Sequence, residues 1–80
     1  MENNNVLWVK RVRRALTRLS KMDEAPALDI KWLMLRCDDT LRYPEDIQRA
    51  SALELVKDLA AFDEIFPGHM SDLLRGPDPE

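Results

Sequence analysis

Apolar residues recur along this chain at the three- and four-residue spacing that gathers side chains on one face of an α-helix. The longest such pattern runs from Tyr43 to Phe66. Pro44 suits a first helical turn, where its missing N–H has no partner to lose, and Glu45 and Asp46 favour the positive end of the helix dipole. With about 100° per residue, Ile47, Ser51, Leu55, Leu59, Phe62, Ile65 and Phe66 fall in one sector of about 120°, a core stripe. Leu53, Val56 and Ala60 project on nearly the opposite side, at about 180–240°. This helix therefore has two apolar faces. Pro67-Gly68 ends it, because proline cannot continue the hydrogen-bond ladder and glycine accepts the left-handed conformation common past a helix end.

Two more helices precede it. From Val6 to Met22 the residues Trp8, Val9, Val12, Ala15, Leu16, Leu19 and Met22 share one side, and one of Asn3, Asn4 and Asn5 is placed to cap the start. Asp23-Glu24-Ala25-Pro26 breaks the pattern as a turn. The next helix, 27–42, starts either at Pro26 or with Asp29 as its cap and directs Ile30, Leu33, Met34, Cys37 and Leu41 inward. Its Trp32 and Leu35 lie on the far side. The brief Arg42-Tyr43-Pro44 connection sets the second and third helices antiparallel or sharply angled. Beyond Gly68, Ser71 is placed to cap a single turn over 71–75, a lid or arm stopped by Gly76, and residues 77–80 read as a disordered tail. The expected fold is all-α: one domain, 1–76, a three-helix bundle with a short C-terminal arm, completed by dimerisation.

The dimer enters because of size. Eighty residues bury a smaller fraction of their surface than a longer chain does, and monomers seldom expose large apolar patches. Trp32 and Leu35 on one helix, with Leu53, Val56 and Ala60 on the next, are more apolar surface than three helices need. One alternative is that crossed helices use wide faces, or that the arm covers one of the two patches. The favoured reading is isologous pairing, with Trp32 as the aromatic anchor of a protein interface.

Net charge, −3 overall, is unevenly spread. Residues 1–22 carry Lys10, Arg11, Arg13, Arg14, Arg18 and Lys21 against Glu2, a balance of +5, and the remaining 58 residues carry six basic and fourteen acidic side chains, a balance of −8. Lys10, Arg11, Arg14, Arg18 and Lys21 form a charged face that either neutralises phosphates of a nucleic acid or meets the acidic remainder of this chain, of a second copy or of a partner. A helix-turn-helix built on the Tyr43-Pro44 turn fits poorly, since its reading helix would present Glu45 and Asp46 to phosphate. The first helix also has the pattern of a membrane-surface or transit segment, but its apolar face is the size a bundle core requires.

Catalytic and metal chemistry find little support. Cys37 is the only cysteine and His69 the only histidine, so no intrachain disulfide or thiolate cluster can form, and no acid, base and nucleophile are linked by spacing. Asp38 and Asp39 point about 100° apart on a helix and make no dyad. No cofactor or metal is expected, and no apolar run reaches the roughly 18–20 residues of a membrane span. The chain has no signal-peptide pattern and reads as cytoplasmic. The function expected is non-catalytic: a small regulator, adaptor or inhibitor that binds another protein, in the style of a phage or mobile-element accessory protein acting on a host target. The alternative is a nucleic-acid-binding transcriptional repressor presenting the basic first helix from a dimer.

Overall fold

The computed structural model describes residues 2–79 and contains three helices, α1 (Asn4–Leu19), α2 (Ala27–Arg42) and α3 (Glu45–Ile65), followed by a 3₁₀ turn at Ser71–Leu73. No strand occurs among the described residues. The molecule measures 36 × 20 × 19 Å. α2 packs against both α1 and α3, whereas α1 and α3 touch over a smaller area.

Local chemistry accounts for the helix ends. Asn3 caps α1, its Oδ1 accepting the Val6 N–H at 2.9 Å, so one of the first N–H groups gains a partner. α1 ends at Leu19, three residues before the predicted Met22. There the Ser20 hydroxyl bonds the Thr17 carbonyl, and the backbone tightens into bonds from Lys21 to Arg18 and from Met22 to Leu19. Met22 still packs on the core from the turn. Pro26 precedes α2 as its N-cap, and Asp29 lies inside the first turn rather than capping it. Pro44 likewise caps α3 instead of being its first residue. After Phe66 the chain turns at Gly68, whose φ of +90° is the left-handed conformation glycine adopts without a Cβ clash. Met70 precedes the 3₁₀ turn and makes no side-chain cap; Ser71 is its first residue, not its cap.

One continuous core joins all of these elements. α1 supplies Trp8, Val9, Val12, Ala15, Leu16 and Leu19, and α2 supplies Ile30, Leu33 and Cys37. α3 contributes Ala52, Leu55, Leu59 and Phe62, while the arm adds Met70 and Leu73. α3 is turned relative to the predicted stripe. Its buried sector includes Gln48 and Ala52, and Ile47 and Ile65, from the stripe's opposite edge, are 49% and 64% exposed. Gln48 can enter because its amide is satisfied: Nε2 donates to the Thr40 carbonyl at 3.3 Å and Oε1 accepts from Asn3 at 3.1 Å. No buried side-chain nitrogen or oxygen among the described residues lacks a hydrogen-bond partner.

The arm is held at both ends. Trp8 Nε1 donates to the Leu73 carbonyl at 3.0 Å inside the core. Further on, residues 77–79 are tied down where a disordered tail was expected: Pro77 is buried, Arg49 donates to the Asp78 carbonyl at 3.1 Å, and Asn4 donates to the Pro79 carbonyl at 3.3 Å. Arg49 also donates to Asn5 Oδ1 at 3.0 Å, so one guanidinium joins α1, α3 and the tail. The last residue of that expected tail, Glu80, lies outside the described residues, as does Met1.

Candidate functional site: two surfaces

The first surface belongs to α2 and α3. Leu28, Trp32 and Leu35 occupy one face of α2 at i, i+4 and i+7 and are 84%, 52% and 55% exposed. Beside them, Trp32 shares a shallow apolar groove of about 280 Å³ with Asp29, Asp58, Ala61, Phe62 and Ile65. The Arg36–Asp58 ion pair, 3.3 Å, ties the two helices at its edge. Leu28 and Ile65 were not among the interface residues read from sequence. The i, i+4, i+7 spacing of Leu28, Trp32 and Leu35 is the signal that finds Leu28, and Ile65 belongs to the core stripe of the sequence pattern.

The remaining three predicted interface residues do not join this group. On α3, Leu53, Val56 and Ala60 project about 180° from the side carrying Asp58, Ala61 and Ile65. Leu53 is 47% exposed and Ala60 is exposed. Val56 is partly buried against the core, with its Cγ2 3.1 Å from where a Cβ on Gly76 would stand, so the arm covers part of this second patch.

The second surface is electrostatic. Arg13 is separated from the other cations of α1 by its angular position and pairs with Asp38 of α2 at 2.7 Å. That contact, chiefly a side-chain hydrogen bond, holds the Asp38 carboxyl below the usual carboxylate range and raises the Arg13 guanidinium above its ordinary value. Lys10 pairs with Glu2. Arg11, Arg14, Arg18 and Lys21 make no ion pair within 4.0 Å among the described residues. The acidic remainder of the chain thus neutralises Arg13 and leaves most of the face open. Arg11, Arg14 and Arg18 line one wall of a cleft of about 440 Å³, and the loop bearing His69, Ser71 and Asp72 lines the other. Arg11 and Arg14 continue into a second depression of about 530 Å³, bordered by Lys10, Trp8 and Gly76.

The residues considered for chemistry stand apart in character. Cys37 is fully buried, and desolvation pushes its thiol up to about 12. His69 is exposed on the loop, its ring stacked on Phe66 with centroids 4.3 Å apart and planes 13° from parallel. Among the described residues, no group of three or more histidine, cysteine, aspartate or glutamate side chains is placed to hold a metal ion, and no helix is long and apolar enough to cross a membrane.

No protein-family model matches the chain, and neither a curated protein nor a solved structure matches it. The functional reading therefore rests on the two surfaces themselves.

Proposed function

We propose that this chain is a small non-catalytic regulator, adaptor or inhibitor that works by binding another protein, and that the binding face is the Leu28–Trp32–Leu35 stripe of α2 with Ala61 and Ile65 of α3. The observation that carries the reading is Trp32: a tryptophan 52% exposed in an 80-residue chain, flanked along its helix by two other exposed leucines. Aromatic anchors of this kind dominate interface energetics, and an apolar groove beside the indole offers a place for a partner side chain. Asp58 at the groove is held by Arg36, and Asp29 makes no ion pair within 4.0 Å among the described residues, so Asp29 is the carboxylate there that would meet a basic residue of a partner.

A second copy of the chain is the first occupant to consider, since an isologous contact would bury the same stripe on both protomers. Homodimerisation and capture of a different protein make the same demand on Trp32. They differ in mass. Light scattering on the purified chain across a concentration series gives twice the 9.3 kDa chain mass if the face pairs with itself. Trp32→Ala should return the mass to one chain and abolish capture of a protein partner in a nuclease-treated pull-down. Because Trp32 is half outside the core, the variant's thermal unfolding should stay close to that of the parent monomer. Retention of both self-association and partner capture by Trp32→Ala would exclude this face.

A further inference from the structure

The cleft between α1 and the loop 68–73 shares no lining residue with the α2–α3 groove and raises a separate question of ligand. We infer that it binds single-stranded nucleic acid, with Arg11, Arg14 and Arg18 on the phosphates and His69 as a stacking platform for a base. Three features of the site lead there. The arginines stand at i, i+3 and i+7, within about 60° of one another around α1 and about 10 Å apart from first to last along its axis. They form a row and do not converge on a point. A row suits an extended polyanion better than one compact anion, and about 10 Å corresponds to roughly three nucleotides at the 3.4 Å rise of a strand.

The second feature is their electrostatic state. None of the three has a carboxylate within ion-pair distance among the described residues. Asp72 is the one carboxylate lining the arginine cleft. In the adjoining depression Glu2 is already engaged by Lys10, and Asp78 stands at the border. Phosphate would therefore meet a net positive wall.

The third is the His69 ring on the opposite wall, backed by Phe66 outside the cleft. His69 lines the cleft, is exposed, and is held by its stack on Phe66, itself packed edge-on against buried Phe62 at 6.1 Å. A positively charged groove beside an aromatic ring is the arrangement by which proteins hold single strands without reading their sequence, because every base has a π-face. A duplex, whose bases are already stacked on each other, offers no free face to the ring.

The test uses the full chain labelled with ¹⁵N and a twelve-residue oligothymidylate, with a duplex of equal length and inorganic polyphosphate of equal charge as comparisons. The expected result is oligothymidylate binding that shifts amides in residues 10–18 and 68–73, with log K falling against log[salt] at a slope of about −2 for three phosphates. Arg11→Ala/Arg14→Ala/Arg18→Ala should weaken binding at least tenfold and flatten that slope. His69→Ala should weaken it about fivefold or more with the slope unchanged, and His69→Phe should restore it. All four side chains project from the core's outer side, so amide spectra of the variants will show the fold retained. Absence of binding at 50 mM salt, duplex binding as tight as single-strand binding, polyphosphate binding as tight as oligothymidylate, or indifference to His69→Ala would each overturn the assignment.

Discussion

Thr40 and Ser51 offer the sharpest test of how α2 is fixed against α3. Their hydroxyls meet at 2.7 Å, with Thr40 fully buried and Ser51 nearly so. Thr40 also donates to the Arg36 carbonyl one turn back, at 3.0 Å. A threonine hydroxyl has one proton, so with that proton on Arg36 the bond between helices must come from Ser51. The two partners are then unequal. Ser51→Ala removes a donor and leaves Thr40 bonded to Arg36, a loss of about 1 kcal/mol for one neutral hydrogen bond. Thr40→Val keeps the shape but strands the Ser51 hydroxyl in a dry contact, at about 2 kcal/mol within the usual 1–3 for an unsatisfied buried group. The double variant strands nothing and should cost about 1 kcal/mol, well below the sum of the two, which gives a coupling energy of roughly 2 kcal/mol. Total stability for this length is about 4–12 kcal/mol, so all three variants remain measurable. Urea unfolding followed by helical circular dichroism, with unchanged m-values, supplies the cycle. Additive losses, or Ser51→Ala costing more than Thr40→Val, would refute the donor assignment.

Trp8→Phe should lower stability by about 1 kcal/mol, because the Leu73 carbonyl loses the indole donor and keeps the Gly76 N–H at 3.1 Å; thermal unfolding should fall by about 4–8 °C per kcal/mol. Gly76→Ala should cost about 1–2 kcal/mol from the positive φ of 81° and the nearby Val56 methyl, read by the same melts. Burial holds the Cys37 thiol neutral up to about 12, so iodoacetamide at pH 8 should label it far more slowly in the folded chain than in urea. The sign of the linked effect follows: above the ordinary thiol value of about 8.5 the unfolded chain loses a proton that the folded chain keeps, so Cys37's contribution is intact below that pH. It is lost progressively as pH rises towards about 12, and Cys37→Ala should remove that part of the alkaline decline.

The amount of this architecture legible in the sequence differs between the helices for a physical reason. α1 separates its apolar and charged residues so completely that one rotation about its axis satisfies both, and its predicted core residues are buried or half-buried. α3 carries apolar residues on two sides, so periodicity admits several rotations. The one adopted exchanges Ile47 and Ile65 for Gln48 and Ala52. What decides it is the pair of partners for the Gln48 amide, Asn3 and Thr40, the first 45 residues away in sequence. The packed tail has the same origin, since Pro77 is held in place by a contact from Arg49 to the residue beside it. Hydropathy alone carries no record of such bonds. The arginine cleft was half legible: α1 announced its wall, but His69 reaches it only because Gly68 reverses the chain after Phe66.

That reversal also bears on why the basic face is open. Arg11, Arg14 and Arg18, within about 60° of one another around α1 and in no ion pair among the described residues, repel one another, and residues 23–80, with a balance of −8, have carboxylates enough to relieve them. The fold instead uses its interhelical ion pairs elsewhere: Arg13 with Asp38 and Arg36 with Asp58 lock α2 to its two neighbours. The arm, which could have brought a run of acid against α1, brings Trp8's hydrogen-bond acceptor, Met70 and Leu73 for the core, and His69 for the cleft, with Asp72 alone for charge. Intramolecular neutralisation therefore does not account for Arg11, Arg14 and Arg18. Their repulsion is a standing cost of the folded monomer, and it is relieved when an external anion enters the cleft, so added anion should stabilise the fold by linkage as well as bind to it.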